Sequence, residues 1–204
     1  QALMIEGNKV AILGVPMYAG PLADVVRHVV ETCTQEAGAP NRRITATGAH
    51  GLVFSKKNKA FRDILQSSYL NLPDGMPGVW IGKRKGRRSM ERCYGPDLFE
   101  AVIKESSGRG VRHFFCGGKP GVAEELKRVC ERKMGNRAVA GCVSPPFAEM
   151  ADEDMARLGE KITKAGTDIL WIGMSTPKQE SFAYRISQYV RVKYIISVGA
   201  AFDF

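Results

Sequence analysis

The chain has no apolar run near the ~20 residues needed to cross a bilayer as a helix. It opens on nothing that reads as a signal peptide. It contains no internal repeat, no low-complexity tract and no Pro/Ser-rich linker. Its five cysteines, Cys33, Cys93, Cys116, Cys130 and Cys142, form no C-x-x-C pair. An odd, unclustered set argues against a disulfide framework and a zinc site, and it fits a reducing cytosol. No G-x-G-x-x-G follows the first apolar segment, which disfavours a dinucleotide-binding oxidoreductase. No G-K-[ST] ending makes a Walker loop, no Ser/His/Asp triad is readable, and no cluster of ligands suggests a metal.

What is present is an ordinary globular composition, 44% hydrophobic and 25% charged, with a net charge of +9. A positive excess favours anionic partners such as phosphorylated substrates, an anionic membrane face or nucleic acid. Much of the excess is local: Lys83, Arg84, Lys85, Arg87, Arg88 and Arg92 share one short window. A solvated, mobile loop is the plain reading of such a run. The segment from Gly82 to Arg92, with almost no apolar residue, is expected to be such a loop.

Apolar runs alternate with helical periodicities along the chain. Strands are expected at Lys9–Val15, Arg43–Thr47, Tyr69–Leu72, Val111–Cys116, Ala138–Val143, Asp168–Gly173 and Tyr194–Val198. Helices are expected over Leu22–Cys33, Leu52–Gln66, Met76–Gly82, Pro96–Ser106, Val122–Met134, Asp152–Lys164 (with Asp152 as its cap) and from Ser175 to about Val190. Helices of 10–15 residues between strands indicate βαβ units. The expected fold is α/β, a Rossmann-like, mostly parallel sheet with helices on both faces. The whole chain, 1–204, is expected to form a single domain, with a weak possible division near 83–92.

Right-handed crossovers put every strand-to-helix turn on one edge of such a sheet. Asn71-Leu72-Pro73-Asp74-Gly75 is one of these turns. Pro73, without an N–H and with a fixed φ, ends the strand, and Gly75 frees the backbone beyond it. Asp74 is thereby held at a strand end, as a turn or helix-cap residue or as a reactive carboxylate. Gly117-Gly118-Lys119-Pro120-Gly121 lies between a strand and a helix N-terminus. There it can serve close packing or the approach of a phosphate to free N–H groups. Pro177-Lys178-Gln179-Glu180 opens a helix. A capping box from Ser175 or Thr176 to Glu180 explains part of it, whereas Lys178 suits a phosphate and Gln179 a sugar or base. His50 reads either as a partly buried polar residue or as a ligand contact. Cys116 and Cys142 read as core.

Six motifs then stand in order: Leu72-Pro73-Asp74-Gly75-Met76-Pro77; Glu91-Arg92-x-Tyr94-Gly95-Pro96-Asp97-Leu98; Phe115-x-Gly117-Gly118-x-Pro120-Gly121-Val122-Ala123-Glu124; Ser144-Pro145-Pro146-Phe147; Pro177-Lys178-Gln179-Glu180; and Val198-Gly199-Ala200-Ala201-Phe202-Asp203-Phe204. Together they resemble the WecG/TagA/CpsF family of bacterial glycosyltransferases, over most of the chain from about residue 40. The resemblance implies an inverting enzyme that moves a sugar from a UDP-sugar to an undecaprenyl-diphosphate-linked saccharide in cell-surface polysaccharide or teichoic acid synthesis. It implies no metal and no cofactor, and Asp74 as general base. The substrate-binding set it suggests is Gly75, Arg92, Gly117, Gly118, Lys119, Pro145, Lys178, Gln179 and Glu180, with Thr47 and His50 on the neighbouring turn.

Members commonly carry T-x-N before the first helix, where this chain has Ala46 and Gly48, so Thr45 and Thr47 flank the expected position. Members also continue past F-D-F into a basic, membrane-docking tail, which this sequence does not include. The implied location is cytoplasmic, peripheral on the inner face of the bacterial membrane, with a possible homo-oligomer and no nucleic-acid partner. A basic nucleic-acid-binding α/β domain is the alternative, resting on the net charge and the Arg/Lys cluster.

Overall fold

A computed structural model describes residues 2–146 and 149–202. Phe147, Asp203 and Phe204 of the motifs above lie outside the described residues. A short helix α1 (Ala2–Gly7) leads into a hairpin, β1 (Lys9–Ile12) and β2 (Val15–Tyr18). Next come α2 (Leu22–Gln35), β3 (Arg42–Thr47), α3 (Ala49–Lys57), α4 (Lys59–Gln66) and β4 (Leu70–Pro73). They are followed by α5 (Met76–Arg84), α6 (Gly95–Glu105), β5 (His113–Gly117), α7 (Val122–Lys133) and β6 (Val139–Val143). The described chain finishes with α8 (Asp152–Lys164), β7 (Ile169–Gly173), α9 (Lys178–Ile186), β8 (Tyr194–Ser197) and a 3-10 turn, Gly199–Phe202.

The eight strands form one sheet in the order β1-β2-β4-β3-β8-β7-β5-β6, parallel except for β1 against β2. This is the expected α/β class, a mostly parallel Rossmann-like sheet. The carboxyl ends of its parallel strands line one edge, as right-handed crossovers require.

The two faces of the sheet pack differently. One is covered by α2, α6 and α7 in a single apolar core, where Phe99, Phe115, Trp171 and Phe202 meet edge-on or tilted at 4.9–6.1 Å between ring centroids. Such aromatic pairs add about 0.5–1.5 kcal/mol each beyond the area they bury. The other face carries two separate apolar clusters. One packs Ile12, Val15 and Met17 under Leu52, Phe61 and Val79; the other packs Phe114, Leu170, Ile172 and Ile195 under Met155, Ile162 and Ile186. Between them runs a polar row. Register places Met17, Asn71, Thr45, Ser197, Ile172 and Cys116 side by side across the sheet. Three polar side chains thus interrupt an otherwise apolar row.

Several local expectations change. Lys9–Val15 is not one strand but the first half of the hairpin, because Leu13 and Gly14 both take positive φ (51° and 80°) and turn the chain. That two-residue geometry matches the twist of paired strands. The helix expected over Leu52–Gln66 is two helices. Asn58 breaks it, with extended dihedrals and a side chain that accepts the Phe61 N–H at 2.9 Å, capping α4. Asp152 does not cap α8: Ala151 holds the cap position and Asp152 is the first helical residue. The helix from the 175–177 turn ends at Ile186, short of Val190.

The basic segment is also more ordered than a free loop. Lys83 and Arg84 end α5, the backbone of Lys85, Gly86 and Arg87 folds back on Ile81, Gly82 and Lys83, and Met90 is fully buried. Lys85 donates to the Ala11 carbonyl at 2.8 Å and Arg87 to the Lys9 carbonyl at 3.0 Å, pinning the segment to β1.

Candidate active site

The crevice between β5 and β7 is where the topology points. From β5 the chain crosses outward to β6; from β7 it crosses the other way, to β8. Adjacent strands whose crossovers diverge leave a gap at their carboxyl ends, the usual ligand position in open α/β sheets. A cavity of about 300 Å³ lies there, lined by Gly117, Gly118, Lys119, Pro145, Pro146, Gly173, Met174, Ser175, Lys178 and Gly199. Five of the expected substrate-binding residues, Gly117, Gly118, Lys119, Pro145 and Lys178, therefore share one wall system. Ser144 ties the two loops together by donating toward the Gly117 and Lys119 carbonyls at 3.3 and 3.2 Å.

The glycines in this crevice are required for close approach. Gly117 pairs with Gly173 across the strands, and a Cβ on Gly117 would sit 2.2 Å from the Gly173 carbonyl oxygen. A Cβ on Gly173 would in turn meet the Phe202 ring at 2.4 Å. The glycine-rich turn thus serves packing here and, by the same bareness, leaves backbone facing the cavity.

Asp74 lies on the other side of β3 and β8. At ~4.8 Å per strand, β4 and β7 stand roughly 14 Å apart. The Asp74 N–H donates to the Thr47 carbonyl at 3.2 Å, extending the β3–β4 ladder past Pro73. Its carboxylate Oδ1 accepts the Gly95 N–H at 2.8 Å, so Asp74 caps the first amide of α6 across the chain. Arg92 donates from Nε to the Asp74 carbonyl at 2.7 Å and stacks 4.2 Å over the Tyr94 ring. Burial pushes the Asp74 carboxyl above the ordinary Asp range; the Gly95 N–H and the Arg92 charge restrain that shift, and Asp97 adds to it. A partly desolvated, oriented carboxylate of this kind is suited to accept a proton. Gly95 itself abuts the backbone just past the end of β8, since a Cβ there would lie 2.4 Å from the Val198 carbonyl oxygen. Asp74, Gly95, Val198 and Gly199 therefore form a continuous bridge from the carboxylate to the cavity wall.

Thr47, Gln179 and Glu180 sit beneath that bridge, all buried. Gln179 Oε1 accepts the Gly199 N–H at 2.9 Å, and its Nε2 points to Thr176 Oγ1 and Glu180 Oε1 at 3.4 and 3.3 Å. Thr176 donates to Glu180 Oε1 at 2.7 Å. The capping box expected here is not formed: Pro177 holds the cap position of α9, and the Thr176 hydroxyl meets the Glu180 side chain rather than a helix amide. Thr47 donates weakly to the Thr45 carbonyl at 3.3 Å. His50 is exposed near the start of α3, and its charge acts on Glu180. Burial raises the Glu180 carboxyl, while hydrogen bonds from Thr176, its own backbone and Gln179, and the charge of His50, pull it down. Its Oε2, like Ser197 Oγ and Asn71 Oδ1, is buried without a protein partner. All three belong to the polar row and the helix that covers it.

Asn71 and Ser197 were not among the candidates read from sequence. The signal for both is a polar residue inside an apolar strand run, Leu70-Asn71-Leu72 and Ile195-Ile196-Ser197. Among the described residues, no three His, Cys, Asp or Glu side chains converge as a metal site. Nor is any helix long and apolar enough to cross a membrane.

A model of the Glycosyl transferase WecG/TagA/CpsF family matches residues 10–204. The chain belongs to that family. It is 26% identical over 148 residues to an N-acetylglucosaminyldiphosphoundecaprenol N-acetyl-beta-D-mannosaminyltransferase of Bacillus spizizenii, covering 72% of this chain and 55% of that protein. It is 24% identical over 147 residues to the protein of the same description from Bacillus subtilis, covering 72% of this chain and 56% of that protein. The matched stretch thus spans little more than half the length of these relatives.

Proposed function

We propose that this chain is the nucleotide-sugar-binding and catalytic part of an inverting, metal-independent glycosyltransferase acting on an undecaprenyl-diphosphate-linked saccharide. Family membership and the relatives' described reaction support the class. The single observation that carries the mechanism is Asp74: a carboxylate at a strand end, oriented by the Gly95 N–H, partly desolvated and bridged to the crevice.

In this reading the UDP-sugar lies along the edge, its diphosphate toward Lys119, Lys178 and the backbone of the Gly117–Gly121 turn. The acceptor hydroxyl oxygen attacks the anomeric carbon as the bond to UDP breaks. The bonding pair leaves with the β-phosphate oxygen, and the hydroxyl proton passes to Asp74 Oδ2. One carboxylate suffices for inversion, since no covalent sugar intermediate forms. Arg92 holds the Asp74 backbone and offers charge to the acceptor diphosphate. Gln179 is a positioning residue, holding the Gly199 turn that forms part of the crevice wall.

A panel of UDP-sugars, UDP-N-acetylmannosamine included, tested by thermal shift identifies the donor, since a ligand of the folded state raises its melting temperature. Transfer to a synthetic N-acetylglucosaminyl-diphosphate lipid then tests the base. Asp74→Asn is expected to keep donor stabilisation and lose about 10²–10⁴-fold in turnover. Wild-type turnover by that variant rules out Asp74 as base; no stabilisation by any nucleotide sugar rules out the donor assignment.

A further inference from the structure

The outer face of α5 is built the wrong way round for a helix that meets only water. Its inner face, Gly78, Val79 and Gly82, packs against the hairpin side of the sheet. Its outer face carries Met76, Trp80 and Ile81, exposed at 38%, 59% and 40%. Half of the six large hydrophobics most exposed among the described residues thus fall on one nine-residue helix, which marks a surface made for contact. The adjacent α3 shares the apolar cluster beneath through Leu52 and exposes Val53 beside Lys56 and Lys57.

Charge continues from the same face. Lys83 and Arg84 lie in the last turn of α5, and Arg88 follows on the exposed return. These are not the cations spent on β1, which are Lys85 and Arg87. Residues 83–92 hold six cations against one carboxylate, Glu91, so this edge supplies more than half of the chain's +9. A tryptophan and two aliphatic side chains bordered by cations match the interfacial region of an anionic bilayer, where apolar groups enter the acyl boundary and cations meet headgroups. A nucleic acid would be met by the charge and would leave Ile81 and Met76 without a role.

We propose that the exposed face of α5, Met76, Trp80 and Ile81 with Lys83, Arg84 and Arg88, docks this chain on an anionic lipid surface. α5 begins one residue after Gly75, so docking holds the Asp74 turn at headgroup level, where a lipid-linked diphosphate would present its sugar. That last consequence rests on the glycosyltransferase reading; docking itself does not.

The two tryptophans make the test specific, since Trp171 is fully buried and Trp80 is not. Purified chain is mixed with phosphatidylcholine vesicles with and without phosphatidylglycerol, with no acceptor lipid and no nucleotide sugar. The expected result is binding to the anionic vesicles only, weakened by salt, with a blue shift of emission and quenching by brominated acyl chains. Both optical signals should vanish in Trp80→Phe. Trp80→Ser/Ile81→Ser should lower partitioning roughly ten-fold or more with an unchanged melting temperature. Vesicle binding that leaves Trp80 emission unmoved, or that survives the double substitution, overturns the proposal. So does an emission shift produced by RNA or by raised protein concentration alone, which would make the face a nucleic-acid or self-association surface. Failure here leaves donor binding and transfer untouched, and failure of the donor panel leaves vesicle binding untouched.

Discussion

Acid should loosen this protein through His113 before its carboxylates titrate. His113 is fully buried at the start of β5. Its Nδ1 accepts the Trp171 indole N–H at 2.9 Å, so the ring proton sits on Nε2, 2.9 Å from Ser106 Oγ. Asn136 completes the group by donating to the Ile103 carbonyl at 2.8 Å and, more weakly, to Ser106 Oγ at 3.4 Å. A second proton on the ring would break the Trp171 bond and place a charge in the core. Burial accordingly pushes the imidazole down from 6.5 to about 3.

A group whose folded pKa is depressed contributes stability above its unfolded pKa and loses it as pH falls toward the folded value. The window is therefore pH 6.5 down to about 3. From pH 7 to pH 5 the unfolded ring takes up its proton while the folded ring does not, which removes about 2 kcal/mol. For a chain of this size that is a fall of roughly 4–8 °C in melting temperature. His28, also lowered by burial and by Arg42, adds in the same direction. Asp74 and Glu180, raised by burial, act with the opposite sign at lower pH. Melting curves at pH 7, 6 and 5 for wild type and His113→Asn isolate the term: the variant should begin less stable and show a shallower pH slope. An equal slope in both proteins would refute the assignment.

Two further substitutions probe the packing under the site. Gly117→Ala drives a Cβ into the Gly173 carbonyl at a position with φ of 140°, and should cost about 3 kcal/mol or more, read as a lowered denaturation midpoint. Glu180→Gln keeps the acceptor that Thr176 and Gln179 use and removes a buried carboxylate whose second oxygen has no partner. It should be neutral to stabilising by about 1 kcal/mol; a loss larger than that in thermal melts would show that the Glu180 charge is used.

The parallel sheet and the position of Asp74 were legible because both rest on patterns that burial enforces: apolar runs of strand length, helical periodicity between them, and Pro-Asp-Gly where a strand must stop. The hairpin was not, because Val10–Leu13 is an unbroken apolar run into Gly14 and Val15 and its turn uses Leu13 where Asn is usual. The α3–α4 break was hidden because apolar spacing continues across Asn58 and only the cap marks it. Gln179 reads in sequence as a polar helix-opening residue free to meet ligand. Its burial follows from the tertiary approach of the Gly199 turn, which no local pattern records. The polar row of Asn71, Thr45 and Ser197 is likewise a property of strand order, since its members are far apart in the chain.

β1 ends the sheet, and a terminal strand offers its outward carbonyls to any other extended chain. Here the Lys9 and Ala11 carbonyls are already taken by Arg87 and Lys85, side chains of the basic segment that follows α5. At the opposite border, β6 is irregularly registered against β5 and followed by Pro145 and Pro146. Intermolecular sheet growth is thus obstructed on both flanks, on one by cations and on the other by irregularity and proline. An alanine scan of the basic segment would consequently mix two phenotypes: loss of surface charge at Lys83, Arg84 and Arg88, and fibril-prone exposure of a strand border at Lys85 and Arg87.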